Sequence, residues 1–422
     1  MNGFNLSDIT DAKLGTTTLG SIYLGSTKLW PLSTDYSKEY LTFESLADNN
    51  TITWTFTGSD PIQNVIYWSK NGTSWTSAIT STSDTPVSLA TLNKGEKMYL
   101  KGENVTYALS TSDYSHFNSD YEFNVYGNIM SLIYGDNFIG QTTLSSSYNF
   151  VSIFNSSKVV DASNLILPAT TLTKLCYRSM FQGCTSLATA PVLPATTLAQ
   201  SCYSNMFNGC TSLSTAPVLP ATTLADYCYY NMFYGCTSLS TAPVLPATTL
   251  AQSCYSYMFE GCSSLATAPE LPATTLANSC YMSMFAATKI TAAPELPATI
   301  LTDSCYRNMF YGCTSLRYPP ALNATILQPR CYQHMFFGCT SLKTAPELPA
   351  TTLATYCYAY MFQNCTSLSY IKCLATNISA SYSHAYWLYN VASTGTFVKP
   401  ASMYSWPANA SGIPSGWTVV NA

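Results

Sequence analysis

An α/β solenoid of 26-residue units, each with one strand and one short helix, preceded by an all-β sandwich and a short β segment, is what this sequence predicts. Three observations lead there. Cysteine recurs at fixed spacing through the second half of the chain. Stretches before it alternate polar and apolar with period two. Charge is scarce: of 422 residues 9% are charged, 47% hydrophobic and 14% aromatic. An ordinary globular domain carries about 25% charged residues; here 107 Ser and Thr stand in for charge. The low charge is not diffuse, because only 15 of the 256 residues from Leu167 onward are charged. A net charge of −4 with a pI near 5.3 argues against nucleic acid, which needs a basic stripe to offset phosphates. Sparse Lys and Arg argue equally against docking on anionic membranes. No run of 18 apolar residues suggests a bilayer span.

The chain opens Met1-Asn-Gly-Phe-Asn-Leu-Ser-Asp8, without a basic start or an apolar run, so no secretory leader is expected. Within residues 1–32, Leu14-Gly15-Thr16-Thr17-Thr18-Leu19 is echoed by Leu24-Gly25-Ser26-Thr27-Lys28-Leu29. This reads as small strands with Gly turns, too short to hold a core alone. Residues 33–128 carry the period-two stretches Tyr40–Phe43, Thr51–Phe56, Asn64–Trp68, Lys97–Lys101 and Tyr121–Val125, separated by turns such as Asn71-Gly72. That spacing suggests an immunoglobulin-like sandwich. Trp54, Trp68 and Trp75 fit its core or edge better than a sugar-stacking platform. Residues 129–166 are expected to cap the solenoid, 167–373 to form eight repeats, and 374–422 a degenerate repeat and closing cap.

All sixteen cysteines fall between Cys176 and Cys373. One series runs Cys176, Cys202, Cys228, Cys254, Cys280, Cys305, Cys331 and Cys357; a second follows eight residues behind and skips the fifth unit. Disulfides, a metal site and a ladder of buried thiols are three readings of this pattern. Metal sites want close C-x-x-C pairs with His, and only three His exist. The ladder fits best, since free Cys behaves as a small hydrophobe and the unit around Cys280 does without its second Cys.

The unit Leu193–Val218 shows the expected anatomy. Thr196 or Thr197 could cap a helix. Leu198, Cys202, Tyr203, Met206, Phe207 and Cys210 would form one apolar helical stripe, and Gly209 would stop it with a left-handed backbone. An extended run closes at Pro217. Units that cannot bury an apolar side alone must stack. The varying positions then point outward and form a candidate recognition face: Arg178, Asn205, Tyr230, Tyr234, Tyr257, Glu260, Arg307, Tyr311, His334 and Tyr360. A strand-side column holding Glu270, Glu295 and Glu347 is a second candidate surface.

The recurrent Met206-Phe207-x-Gly-Cys-Thr-Ser-Leu213 resembles the BspA-like leucine-rich repeats over roughly residues 150–400. The joint Gly127–Leu132 with Tyr134–Phe138, and the close Gly395–Pro400 with Gly412–Trp417, are similar to proteins of gut Bacteroidales and their crAss-like phages. Tyr23–Pro31 is similar to N-terminal segments of phage virion proteins. The resemblance implies a virion-associated, non-enzymatic surface protein, made in the host cytoplasm. It would be attached to other virion proteins through residues 1–32 (with Tyr23, Leu24 and Trp30) and would contact a host glycan or surface protein through the solenoid. A homo-oligomer fits this picture. A bacterial cell-surface adhesin and a purely structural virion decoration are the other readings. No H-E-x-x-H, G-x-S-x-G or P-loop occurs, so neither catalysis, metal nor cofactor is expected.

Overall fold

The computed structural model describes residues 35–422 except 61, 81–83, 145, 405 and 408. Of the first 34 residues it describes only the backbone of four short strands. These are β1 (Lys13–Leu14) with β2 (Thr17–Thr18), and β3 (Ile22–Leu24) with β4 (Thr27–Trp30), each pair antiparallel. The expected attachment residues Tyr23, Leu24 and Trp30 lie in β3 and β4, and their side chains are outside the described residues.

Eight strands follow: β5 (Leu41–Ser45), β6 (Asn50–Thr57), β7 (Val65–Ser69), β8 (Thr76–Ile79), β9 (Val87–Leu92), β10 (Lys97–Gly102), β11 (Tyr114–Ser119) and β12 (Phe123–Asn128). The one helix among the described residues other than 3-10 turns, α1 (Ser131–Tyr134), leads to β13 (Leu165–Ile166). One sheet runs β13-β12-β5-β10-β7-β8 and the other β11-β6-β9. Period-two alternation turns Ile52, Trp54 and Phe56 of β6 and Met98 and Leu100 of β10 inward, all fully buried. Trp54 is core, as expected. Trp75 instead lies under the Lys101 Nζ, 4.3 Å from the ring centre, with Tyr40 edge-on.

The sandwich and the solenoid share one hydrophobic core. Strand β12 pairs in parallel with β13, and its inner N–H groups continue onto Lys158, Asp161 and Asn164 carbonyls. Gly127 makes the joint possible. Its φ is +82°, and a Cβ there would lie 2.0 Å from the Tyr40 carbonyl oxygen. Lys101 and the Tyr40 hydroxyl both donate to Asp136, each at 2.7 Å, locking the turn after α1 to the sheet.

The expected helix in each unit is absent. In Leu219–Val244 the backbone N–H groups of Cys228, Tyr230, Met232, Tyr234 and Cys236 bond three residues back. Those of Tyr227, Tyr229, Asn231, Phe233 and Gly235 bond carbonyls of the next unit at 2.8–3.1 Å. Every fourth residue, Tyr227, Asn231 and Gly235, has φ between +55° and +69°. The result is a ribbon of overlapping β-turns with a four-residue period, two side chains in and two out. The reason is the rise. Successive Phe rings of the ribbon sit 5.4–5.9 Å apart from Phe181 to Phe362, whereas packed helices need about 8–10 Å between axes. Gly209 does adopt the expected left-handed backbone (φ +74°), as does Asn364 in its place (φ +64°), but as one step of the ribbon rather than a helix stop.

The expected strands shrink likewise to single parallel bridges, such as Thr171↔Thr197↔Thr223 and Thr215↔Thr241. Regular strands return only at the end: β14 (Tyr370–Lys372), β15 (Gly395–Lys399) and β16 (Trp417–Asn421) form a parallel sheet in that order. Two aromatic columns run the length of the molecule. Phe117 of the sandwich stacks on Phe154, which begins the Phe column. Trp54, Tyr107 and Phe150 lead into Tyr177, and the Tyr column ends on Trp387 and Trp406.

Candidate recognition faces of the solenoid

The sixteen cysteines are free and buried. In the second series the thiol donates to the Phe carbonyl of the unit before. Cys210 reaches Phe181 at 3.1 Å, Cys236 reaches Phe207 at 3.0 Å, and Cys365 reaches Phe336 at 3.0 Å. In the fifth unit Thr288 holds the position and its hydroxyl donates to Phe285 at 2.8 Å. Thr288 thus bonds within its own unit, to a carbonyl that already accepts from Cys313, and does not replace the thiol's bond to the unit before. Burial pushes these thiols up, Cys184 and Cys365 to about 12, which removes the thiolate a nucleophile or metal ligand would need. Among the described residues no group of three His, Cys, Asp or Glu is arranged to hold a metal.

The turn ribbon leaves two side chains of every four on the outside, and the candidate outward residues all fall there. They do not behave alike. Asn205 is buried and donates to Ser204, which also accepts from the Arg178 guanidinium at 3.1 Å. Tyr230 meets Tyr257 edge-on at 5.4 Å. Tyr234 is exposed, and burial raises the carboxyl pKa of Glu260. Arg307 keeps a buried Nε without a partner.

The structure places the remaining three in two adjacent ring stacks, Tyr311 lying tilted to His334 at 6.4 Å. Tyr311 lies flat on Phe337 at 4.6 Å. His334 lies flat on Tyr360 at 4.6 Å, and Tyr360 on Tyr386 at 5.8 Å. Beside them Arg330 sits over Tyr356, which stacks on Tyr382 at 5.0 Å. Phe337, Tyr356, Tyr382 and Tyr386 are not among the residues expected from sequence; Phe337 and Tyr386 occupy the repeat positions of Tyr311 and Tyr360, whereas Tyr356 and Tyr382 stand just before the first-Cys position, which the expected set did not include. In-register stacking covers ring faces and turns edges and hydroxyls outward. Burial, reinforced by the Arg307 charge, lowers the His334 pKa to about 4. Cys331, three residues earlier, is fully buried in the core, so the two do not form a dyad.

On the strand side Glu270 and Glu295 are exposed and share a cleft of about 590 Å³ walled by Pro269, Pro272, Pro294 and Pro297. Glu347 is paired with Lys372 at 3.0 Å. The same column begins with Val192, Val218 and Val244, which are exposed.

Neither a curated protein nor a solved structure matches the chain. The profile of the BspA type leucine rich repeat region, in six copies, matches residues 146–288, 177–317, 227–343 and 274–409. These matches together span residues 146–409, well over half of the 422, and they coincide with the stacked region. The chain belongs to the BspA type leucine-rich repeat family.

Proposed function

We propose that this chain is a non-enzymatic surface protein of a phage particle that adheres to a glycan or protein on the host surface. BspA type repeats suggest a surface adhesin-type protein, and this repeat family is typically a non-enzymatic binding scaffold. The observation that carries the reading is the outward set of ring stacks, His334 on Tyr360 on Tyr386 with Tyr356 on Tyr382 and Tyr311 on Phe337, with Arg330 beside them. Rigid aromatic rings with polar tips supply contact area at low entropic cost. The virion half of the reading is supported by the likeness of Tyr23–Pro31 to N-terminal segments of phage virion proteins. In this reading residues 1–32 attach the chain to the particle and the sandwich acts as a spacer.

Two measurements test it. Mass spectrometry of purified particles should find the chain; finding it only in the bacterial surface fraction would move it to a cell-surface adhesin. Labelled full-length protein should bind host cells, and Tyr356→Ser/Tyr360→Ser/Tyr382→Ser should bind at least tenfold more weakly. Particle association without cell binding would make it a structural decoration.

A further inference from the structure

We propose that a cleft at Arg317, Tyr318 and Lys343, away from the aromatic stacks, binds an acidic glycan through its carboxylate or sulfate groups. This rests on the adhesion reading and names a ligand class for it.

The first support is a break in the repeat. After the buried Leu or Ile of each unit the chain reads Ala188-Thr-Ala-Pro, Ser214-Thr-Ala-Pro, Ser240-Thr-Ala-Pro, Ala266-Thr-Ala-Pro and Thr291-Ala-Ala-Pro. In the next two units it reads Arg317-Tyr-Pro-Pro and Lys343-Thr-Ala-Pro. A cation therefore appears at one position in two successive units, where the other six, Ser369 of the eighth included, carry small neutral residues. Stacked units put those positions one rung apart, so both cations can converge on one anionic group.

The second support is that both charges are unengaged. Among the described residues Lys372 pairs with Glu347, Arg330 lies 3.9 Å from Asp303 and Arg178 bonds Ser204. Arg317 and Lys343 are exposed and enter none of these ion pairs or side-chain hydrogen bonds. Local repulsion between like charges has no internal remedy, and an anion supplies one.

The third support is the shape and chemistry of the cleft. It is a half-open groove of about 720 Å³, and Ser341, Thr344 and Ser367 line it beside the two cations and Tyr318. Tyr318 is 67% exposed. The stacked rings cover one another's faces, but Tyr318 has no ring partner among the described residues, so its face is open to a sugar ring. Hydroxyls around a bidentate cation pair match a ligand that is itself hydroxyl-rich and acidic. An acidic peptide would use the charges but not the hydroxyls or the open ring.

The test uses the full chain and four immobilised polymers: polygalacturonate, chondroitin sulfate, neutral dextran and poly-glutamate. The wild type should bind at least one of the first two, more weakly as salt rises, and bind neither of the last two. Arg317→Ser/Lys343→Ser restores the residue of the second and third units, so it should fold normally. It should weaken binding at least tenfold, the loss expected for two charge-assisted contacts. Tyr318→Thr should weaken it several-fold. Lys174→Gln, a lone exposed cation elsewhere, should change nothing. Absence of acidic-glycan binding, equal binding to poly-glutamate, or an equal loss in Lys174→Gln would each overturn the proposal. The host-cell assay separates the two readings. If the double variant still adheres to cells as well as the wild type, this cleft fails and adhesion stands. If the wild type binds acidic glycan through the cleft but not cells, the cleft stands and adhesion fails.

Discussion

A buried carbonyl has two lone pairs, and along the Phe column a neighbouring thiol approaches the second one. That explains a Cys at Cys236, whose thiol reaches the Phe207 carbonyl of the unit before. Cys236→Ala should cost about 1–2 kcal/mol, from the lost donor and the small void. Cys236→Ser should cost less; thermal melting of both variants checks the order. Burial also protects the thiols. Native protein at pH 8 should leave nearly all sixteen unreactive to a disulfide reagent, and denatured, unreduced protein should release them; early reaction of many would contradict the buried ladder. His334 sets a pH dependence. Its folded pKa near 4 lies below the ordinary 6.5, so the unfolded chain takes up the proton first. Stability is whole above about pH 6.5 and declines as pH falls toward 4. His116 and His384 are shifted the same way, so His334→Asn should flatten the melting profile between pH 7 and 5 only in part.

At the scale of the element, the turn ribbon depends on left-handed residues at every fourth place. Ser, Asn, Tyr, Leu, Arg, His, Ala and Gly occupy those places and no β-branched residue does, since branching at Cβ clashes there. The offsets 4, 5, 8, 9 and 12 of the apolar set were legible in the sequence, and they fit a wide helical stripe. They fit a strict two-in, two-out period of four better, because a helix would rotate the stripe by about 40° at each step of four residues. The strand-side cations Arg317 and Lys343 were legible too, as departures from the unit's own consensus. The joint between domains is the other sensitive element. Gly127→Ala should destabilise the protein severely, because both the positive φ and the Tyr40 carbonyl exclude a Cβ. A melting temperature within a degree or two of wild type would contradict the geometry.

For the whole molecule, half of the ribbon's hydrogen bonds cross between units, so no unit is stable alone and the solenoid should melt with its neighbours. Excising Leu219–Val244 removes one rung and keeps both aromatic columns in register. That protein should stay folded by circular dichroism and melt cooperatively. Excising 13 residues should not, because the ribbon of one unit would then face the extended run of the next. The sandwich is the solenoid's first cap: Tyr107 and Phe117 cover Phe150 and Phe154. Removing residues before 129 would expose these rings, which is why binding experiments call for the full chain.

The sequence by itself determined the unit length, the residues facing inward, the left-handed glycine position, the period-two stretches of the sandwich and where charge is scarce. Each of these is a property of one residue's chemistry repeated at a fixed interval. The tertiary structure decided what the interval could not. A backbone N–H can bond within its own unit or to the next, and side-chain periodicity alone is compatible with both. The rise set by stacked Phe and Tyr rings excludes helices and forces alternate N–H groups outward to the neighbour. The same stacking decides which outward side chains meet, laying His334 on Tyr360 and Tyr311 on Phe337 while tying Arg178 and Asn205 to Ser204.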